Sequence, residues 1–317
     1  MLRVLLITAV VLGVLFGAGK YYFHHRVAKA VDSAIVPLQA VADVSYGSIT
    51  SSLTGAVGIA NLNIKPHGFA DAIQIDSITA QFPDLGYVLQ LEDNINDQNY
   101  PDSLFLTVNR MSLSTRGSLV RSLDAAALAQ IAASDLPGSC VSRAANMASE
   151  LAELGYDRLA LDYSTGYQHN PDTGELSLSG YVRQTSAFSM DYELVIPFTA
   201  LSAAGASLFM TEPEITSGSL KLEDEGYYGR LLAHCSKIEN RERAAVTDDM
   251  VAVWAEQMSG MGLPPDLEML ADYHQFLTSG KTFSLNAVPH EPVKLQYLSL
   301  YEAKDIPNAL NIVTAAH

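Results

Sequence analysis

Residues Val4 to Phe23 form an apolar run broken only by Lys20, and this run separates the start of the chain from everything that must fold around a core. In a helix, a run of that length spans ~30 Å, the thickness of a bilayer's hydrocarbon layer. Lys20 lies near one end, where its stem can reach the interface. Tyr21, Tyr22 and Phe23 follow at the depth where aromatic side chains gather. A cleaved leader is the competing reading, but its processing site is poor. Cutting before Gly19 places Phe16 at the position that wants a small residue, and cutting after Gly19 leaves Lys20 and two tyrosines at the new terminus. The sequence therefore predicts an uncleaved transmembrane anchor over 1–23. Arg3 and the amino terminus stand against Lys20, Arg26 and Lys29, so the flanking charges alone place the body in the cytoplasm.

After the aromatic residues, Val27, Val31, Ala34, Ile35, Leu38 and Val41 recur at helical spacing, with Pro37 expected to kink or divide the segment. This predicts a helical stalk over 24–43. From Val44 the period changes to two. Residues 45–52 and 56–64 read as a hairpin turning at Leu53–Gly55, and Ile73, Ile75 and Ile78 open a third strand ended by Pro83. Strict alternation splits Val57 and Ile59 from Leu62 and Ile64 and leaves open which face they serve. Residues 85–91 fit a short helix or a strand. Residues 104–115 alternate as a strand.

Two alanine-rich helices follow, over 119–133 with Ser118 as candidate cap and over 139–154 ending at Gly155. The clearest hairpin turns at Asn170-Pro171-Asp172-Thr173-Gly174, with a third strand over 187–198. Residues 214–224 read as a strand, then helices over 226–240, 247–261 (Thr247 as cap) and 265–277. Closing strands over 282–287 and 293–301 and a short helix over 307–313 complete the chain. The expected fold class is α+β: an N-terminal transmembrane helix and helical stalk, then a curved, mainly antiparallel sheet packed with several helices, the body occupying 44–317.

From Asp32 onward, 15 basic residues stand against 35 acidic ones, a formal −20 where the whole chain carries −16. Such a body repels phosphate backbones, so nucleic acid is not an expected partner. Cys140 and Cys235 stand in no CxxC or Cys/His metal spacing. An even count in an exported chain makes them a candidate disulfide, the alternative being two buried thiols; His234 could activate a free thiol only in the second case.

No nucleophile elbow, phosphate-cradling glycine loop, HExxH or dinucleotide fingerprint occurs. Glu92 to Ser103 is rich in acids and amides but lacks the glycine and closing glutamate of a calcium loop. His24 and His25 point ~100° apart on a helix and are badly placed to share a metal. His169 adjoins the Asn170 turn as a surface residue. No catalytic residue, metal site or cofactor is expected, and the expected protein is not an enzyme.

Four stretches carry a resemblance. VSYGSITSSLTGAVGIANLNIKP after the stalk, LDYSTGYQHNPDTGELSLSG, GSLKLEDEGYYGRLLAHC and LTSGKTFSLNAVPHEPVKLQYLSL are similar, in that order, to hairpin, strand-to-helix and closing-strand passages of AsmA-like envelope proteins and related bacterial families. AsmA-like proteins are generally much longer, so this chain resembles a short form. The resemblance implies a single-pass bacterial inner-membrane protein with its body in the periplasm, opposite to the side that the flanking charges favour. It also implies lipid handling or envelope homeostasis, with lipid or envelope proteins as partners, and it supplies no catalytic residues. An interaction scaffold for an envelope assembly and a hydrolase with a dispersed site are the alternatives.

Overall fold

The computed structural model describes residues 24–25, 27–29, 31–32, 35–52, 54–90, 94, 97, 100–133, 139–198, 214–260, 262–294, 301 and 305–317. Val4–Phe23, the predicted anchor, lies outside them. No helix among the described residues is long and apolar enough to cross a membrane.

The described residues of 24–35 are helical and lead through a 3₁₀ turn, Val36–Ala40, into β1 (Ala42–Ser45). Strands β2 (Ser48–Ser51), β3 (Ala56–Pro66) and β4 (Ile73–Gln81) precede the short helix α1 (Leu85–Leu89) and the long strand β5 (Ser103–Ser114). A helical insertion follows, made of α2 (Ser118–Ala133), α3 (Cys140–Asn146) and α4 (Glu150–Glu153). The meander resumes with β6 (Arg158–Asn170), β7 (Glu175–Gln184), β8 (Phe188–Pro197), β9 (Glu214–Ile215) and β10 (Ser217–Asp224). A second insertion, α5 (Tyr227–Glu239), α6 (Arg243–Gly260) and α7 (Leu267–Thr278), separates β10 from β11 (Thr282–Ala287). Strand β12 (Val293–Lys294), helix α8 (Ile306–Ala309) and strand β13 (Ile312–Ala316) close the chain.

The architecture is α+β, as expected. One antiparallel sheet runs in the order β1-β3-β4-β5-β6-β7-β8-β10-β11-β13. Strand β2 also lies on β3, so β1 and β2 act as one edge interrupted near Gly47. Consecutive strands pair almost throughout; tight turns join β6 to β7 and β7 to β8, and longer connections, some carrying helices, join most of the others. At the Asn170 turn the side-chain Oδ1 accepts from the Asp172 and Thr173 amides, and Gly174 takes φ +67°, the left-handed value that closes the loop. The small pair β9·β12 stands apart, held by Lys294 and Glu214 at 3.7 Å.

The core sits where both insertions close over the β8–β13 end of the sheet. Leu231, Leu232, Val246 and Val253 from the second insertion and Val141 from the first are essentially inaccessible, and they meet Phe283 of β11. Trp254 stacks on Tyr273 at 4.4 Å between ring centroids, and Phe276 and Phe283 pack beside them. Buried among these rings, the Tyr228 phenol is pushed up to about 12, chiefly by desolvation, and stays neutral.

Several expectations are corrected. The segment expected as a helical stalk over 24–43 is helical at its described residues of 24–35, but it packs on the sheet, with Val27 buried beside Phe82 and Val88 against Val57, Ala80 and Leu104. Its boundary also falls inside β1. Thr247 does not cap a helix. It lies within α6, buried, with its hydroxyl donating to the Arg243 carbonyl. Residues 139–154 are two helices, not one. Residues 312–316 are a strand, whose last residues are followed by His317 bonding to Thr282 in both directions. Ser118 begins α2, and the cap comes from Asp71, whose Oδ2 accepts from Ser118 Oγ at 2.7 Å and Leu119 N at 3.1 Å. Those hydrogen bonds hold the Asp71 carboxyl below its ordinary range.

A second carboxylate ties the first insertion together. Asp124 of α2, 5 % exposed, accepts from Ala148 N at 2.8 Å and Ser149 N at 3.0 Å, at the entry to α4. Removing it orphans two amides. Asp124→Ala is expected to cost about 2–3 kcal/mol, read as a shift of the denaturant midpoint at unchanged slope. Asp124→Asn, which retains one acceptor oxygen, should recover part of that loss.

Candidate functional site

Residues directly opposite each other on paired strands share a face, so the register shows which side chains lie together. One row runs Ile59, Ile78, Val108, Tyr163, Val182, Met190, Leu222, Phe283 across eight strands. The next runs Val57, Ala80, Leu106, Thr165, Gly180, Tyr192, Leu220, Leu285. A third contains Leu104, Tyr167, Leu178 and Leu194. On the other side of these rows lie Leu62, Ile75, Met111 and Leu161. One face of the sheet is therefore mainly apolar from β3 to β11, with Thr165 and Gly180 in the second row.

The register also resolves the ambiguity of β3. Between Val108 and Met111 the pairing of β5 with β6 slips by one residue, and Arg110 takes φ 46°. Because Leu161 and Tyr163 stand two apart on β6, Met111 and Val108 face the same way despite being three apart. The same step carries through β4 (Ile75 to Ile78) and β3 (Ile59 to Leu62, with Asn61 at φ 53°). Val57, Ile59, Leu62 and Ile64 thus all sit on the apolar face. Such bulges bend strands and increase their twist.

Coverage of this face is uneven. The two insertions bury its β10–β13 end, through Leu222, Phe283 and Leu285. At the opposite end Val27, Val31 and α1 cover Val57, Ala80 and Leu104. A third cluster around Leu176, Ile196 and Phe198 closes the margin near the Asn170 turn. Between them, Ile59, Ile78, Val108, Tyr163, Val182 and Tyr192 are only half-buried, and Leu106 is exposed. Tyr192 donates to Thr165 at 2.8 Å and lies against Gly180, where a Cβ would collide with the phenol. Partial burial pushes the Tyr167 phenol up to about 12, with Tyr87, Asp102 and Tyr100 adding to the effect. It therefore carries no charge onto the face.

The residues singled out from sequence are scattered. Cys140 and Cys235 are bonded to each other, joining α3 to α5, and both are fully buried. His234 consequently has no thiol to activate. His169 is not a surface residue; it is buried, its Nε2 lies 3.0 Å from the Phe198 carbonyl, and its Nδ1 faces Asp102 at 3.6 Å. His24 is exposed, 3.3 Å from Ser51 Oγ. Much of the Glu92–Ser103 loop lies outside the described residues. Among the described residues, no group of three or more His, Cys, Asp and Glu converges as a metal site would require.

An apolar sheet face partly covered by helices was expected from the sequence, but not which residues line it, because they look like core residues; only the register and their unequal burial distinguish them. Comparison with known proteins adds little to this. A search of curated proteins finds no match. A family model described as "Uncharacterized protein" matches residues 170–317, from the Asn170 turn to the last residue.

Proposed function

We propose that this chain is a membrane-anchored, exported, non-enzymatic protein that takes up lipid acyl chains on the half-covered apolar face of its sheet, in a role in lipid handling at the bacterial envelope. The observation that carries this reading is the half-buried centre of that face, where Ile78, Val108, Tyr163 and Val182 adjoin the exposed Leu106. Apolar surface left open on a sheet face is a mark of an interaction site. Acyl chains fit it because a straight hydrocarbon needs area and no hydrogen-bonding partners, and these side chains offer just that.

Two further observations support the placement. The Cys140–Cys235 bond suits an oxidising compartment and therefore export. Val27 and Val31, from the described helical residues that follow the predicted anchor, pack on the same face against Val57, Ala80 and Leu104. Beyond this covered end, the exposed Leu106 and the half-buried rows lie next along the same face.

The test uses the full chain in detergent and a fluorescent fatty acid. The wild type should bind the probe and retain phospholipid through purification. Val108→Asp and Val182→Asp each place a carboxylate among the half-buried rows and should reduce binding about tenfold or more, a loss of ~1.4 kcal/mol per tenfold. Failure of the wild type to bind probe or lipid, or equal binding by both folded variants, sinks the reading.

A further inference from the structure

The opposite face of the same sheet is polar, and it holds a depression of about 520 Å³. Across its floor the register places Phe105, Gly166, Ser179, Glu193 and Ser219 in one row. The parallel row beside it contains Ser164, Tyr181, Asp191 and Lys221. Phe105 does not stand up from the sheet. Its ring covers Gly166, where a Cβ would collide with the ring carbons, so a half-buried aromatic plane lies at one end of the depression.

Glu193 stands toward the other end, exposed, between Ser179 and Ser219 on the neighbouring strands. Its Oε1 accepts from Ser177 Oγ at 3.0 Å, and a carboxylate has further lone pairs to offer. The cations nearby are already engaged. Lys221 contacts Glu223 at 2.5 Å, and Arg183 lies 3.5 Å from Asp191 with its guanidinium 4.5 Å from the Tyr181 ring centroid. What remains for a ligand is an aromatic plane, hydroxyls that both donate and accept, and a carboxylate acceptor.

Other ligand classes fit this chemistry badly. A peptide adding as a strand needs a sheet edge, and β6, β7, β8 and β10 are paired on both sides. An acyl chain would leave the serines and Glu193 desolvated without partners. Phosphate esters and nucleic acid meet an acidic body whose local cations are paired. Covering a sheet glycine with an aromatic ring can by itself be a packing device, but that explains Phe105 alone and not the hydroxyl and carboxylate row it heads.

We propose that this depression is a binding site for a neutral saccharide, whose C–H face stacks on Phe105 and whose hydroxyls donate to Glu193 and exchange hydrogen bonds with Ser179 and Ser219. From Gly166, under the Phe105 ring, to Glu193 is two inter-strand spacings, ~10 Å, which accommodates about two linked pyranose rings. The side chains that would bind the saccharide lie on the other face from the acyl rows, although Gly180 and Tyr192 of those rows also border the depression.

The experiment is calorimetric titration of the full chain, held in a sugar-free detergent, with cellotetraose, maltotetraose and the β-1,4-linked N-acetylglucosamine tetramer. At least one should bind with Kd tighter than ~1 mM. Glu193→Gln, an exposed isosteric change that leaves the fold intact, should weaken binding about tenfold, and Phe105→Ala at least as much. Leu267→Ser, on an 86 % exposed residue away from the depression, should bind as the wild type does. No binding by any tetramer, or undiminished binding by Glu193→Gln, overturns the proposal. Binding lost in Leu267→Ser as well, with all proteins melting alike, overturns it too.

Discussion

Replacing both Cys140 and Cys235 with alanine is expected to lower stability by about 4–5 kcal/mol, the chain-entropy value for so long a closed loop. The bond spans 95 residues of sequence and joins α3 to α5. In the fold this has a specific meaning. The β5–β6 connection and the β10–β11 connection are the two helical insertions in the meander, and the disulfide fastens one to the other. A hydrogen bond from the Cys140 amide to Glu239 Oε1 at 2.6 Å lies beside it, with Glu239 in turn held by Arg241 at 3.1 Å. Without the covalent link the first insertion keeps that contact and its apolar face. Its opening should then become the lowest-energy local unfolding event. Melting followed by circular dichroism should drop by roughly 10–15 °C in the double variant, and reductant should bring the wild type to the same midpoint. A midpoint within about 2 °C of the wild type would show that packing alone holds the insertions together.

The same two cysteines show what could be read before the structure. Their pairing was expected from an even count, a predicted export and positions beside helices. The alternating strands, the Asn170 turn and the three helices after Gly226 were legible because each is specified by local spacing and by residues whose conformational preferences are strong. The failures are equally local in cause. Thr247 followed by two aspartates imitates a helix start, but Val246 and Met250 on the same turn are buried, and tertiary packing extends the helix back to Arg243. Val313 alternates too briefly to mark β13, which exists because β11 offers it an edge. Val27 and Ile35 read as the stripe of a stalk, yet a stripe cannot say what it packs against, and here it packs on the sheet.

The apolar face was hidden by one repeated irregularity, which was nevertheless written in the chain. Its residues are spaced two, three and two apart in β3 (57, 59, 62, 64) and in reverse sense in β4 (73, 75, 78, 80), and β5 takes the same three-residue step from 108 to 111. Strict alternation assigns half of each set to the wrong side. Reading the three strands together makes an aligned bulge the simpler account. The polar-face row from Phe105 to Ser219 had no such signal, because serines and glycines in strands are common and only pairing register places them side by side.

Deleting Arg110 tests that account with the largest effect expected here. The residue occupies the left-handed region at φ 46°, its amide donates to Asp162 Oδ1 at 2.7 Å, and its guanidinium lies 3.4 Å from Asp76 on the surface. Removing the bulge while the rest of β5 stays paired turns Met111 and Leu113 to the polar face and brings Ser112 and Ser114 among the apolar rows. Losing the burial of two such side chains costs about 1.5–3 kcal/mol each, and burying unpartnered hydroxyls adds about 1–3 kcal/mol apiece. The total approaches the whole stability of a typical domain, so the deletion should leave no cooperative unfolding transition. Arg110→Gly isolates the side chain from the backbone. Glycine accepts the left-handed conformation without steric cost, and an exposed ion pair contributes about 0–1 kcal/mol, so this variant should melt close to the wild type. If the deletion unfolds cooperatively near the wild-type midpoint, the bulge is not what holds Met111 and Leu113 on the apolar face. If Arg110→Gly is as damaged as the deletion, the side chain and not the extra backbone residue carries the effect. The contrast between the two variants is therefore the direct measure of how far one inserted residue determines which face of this sheet is apolar.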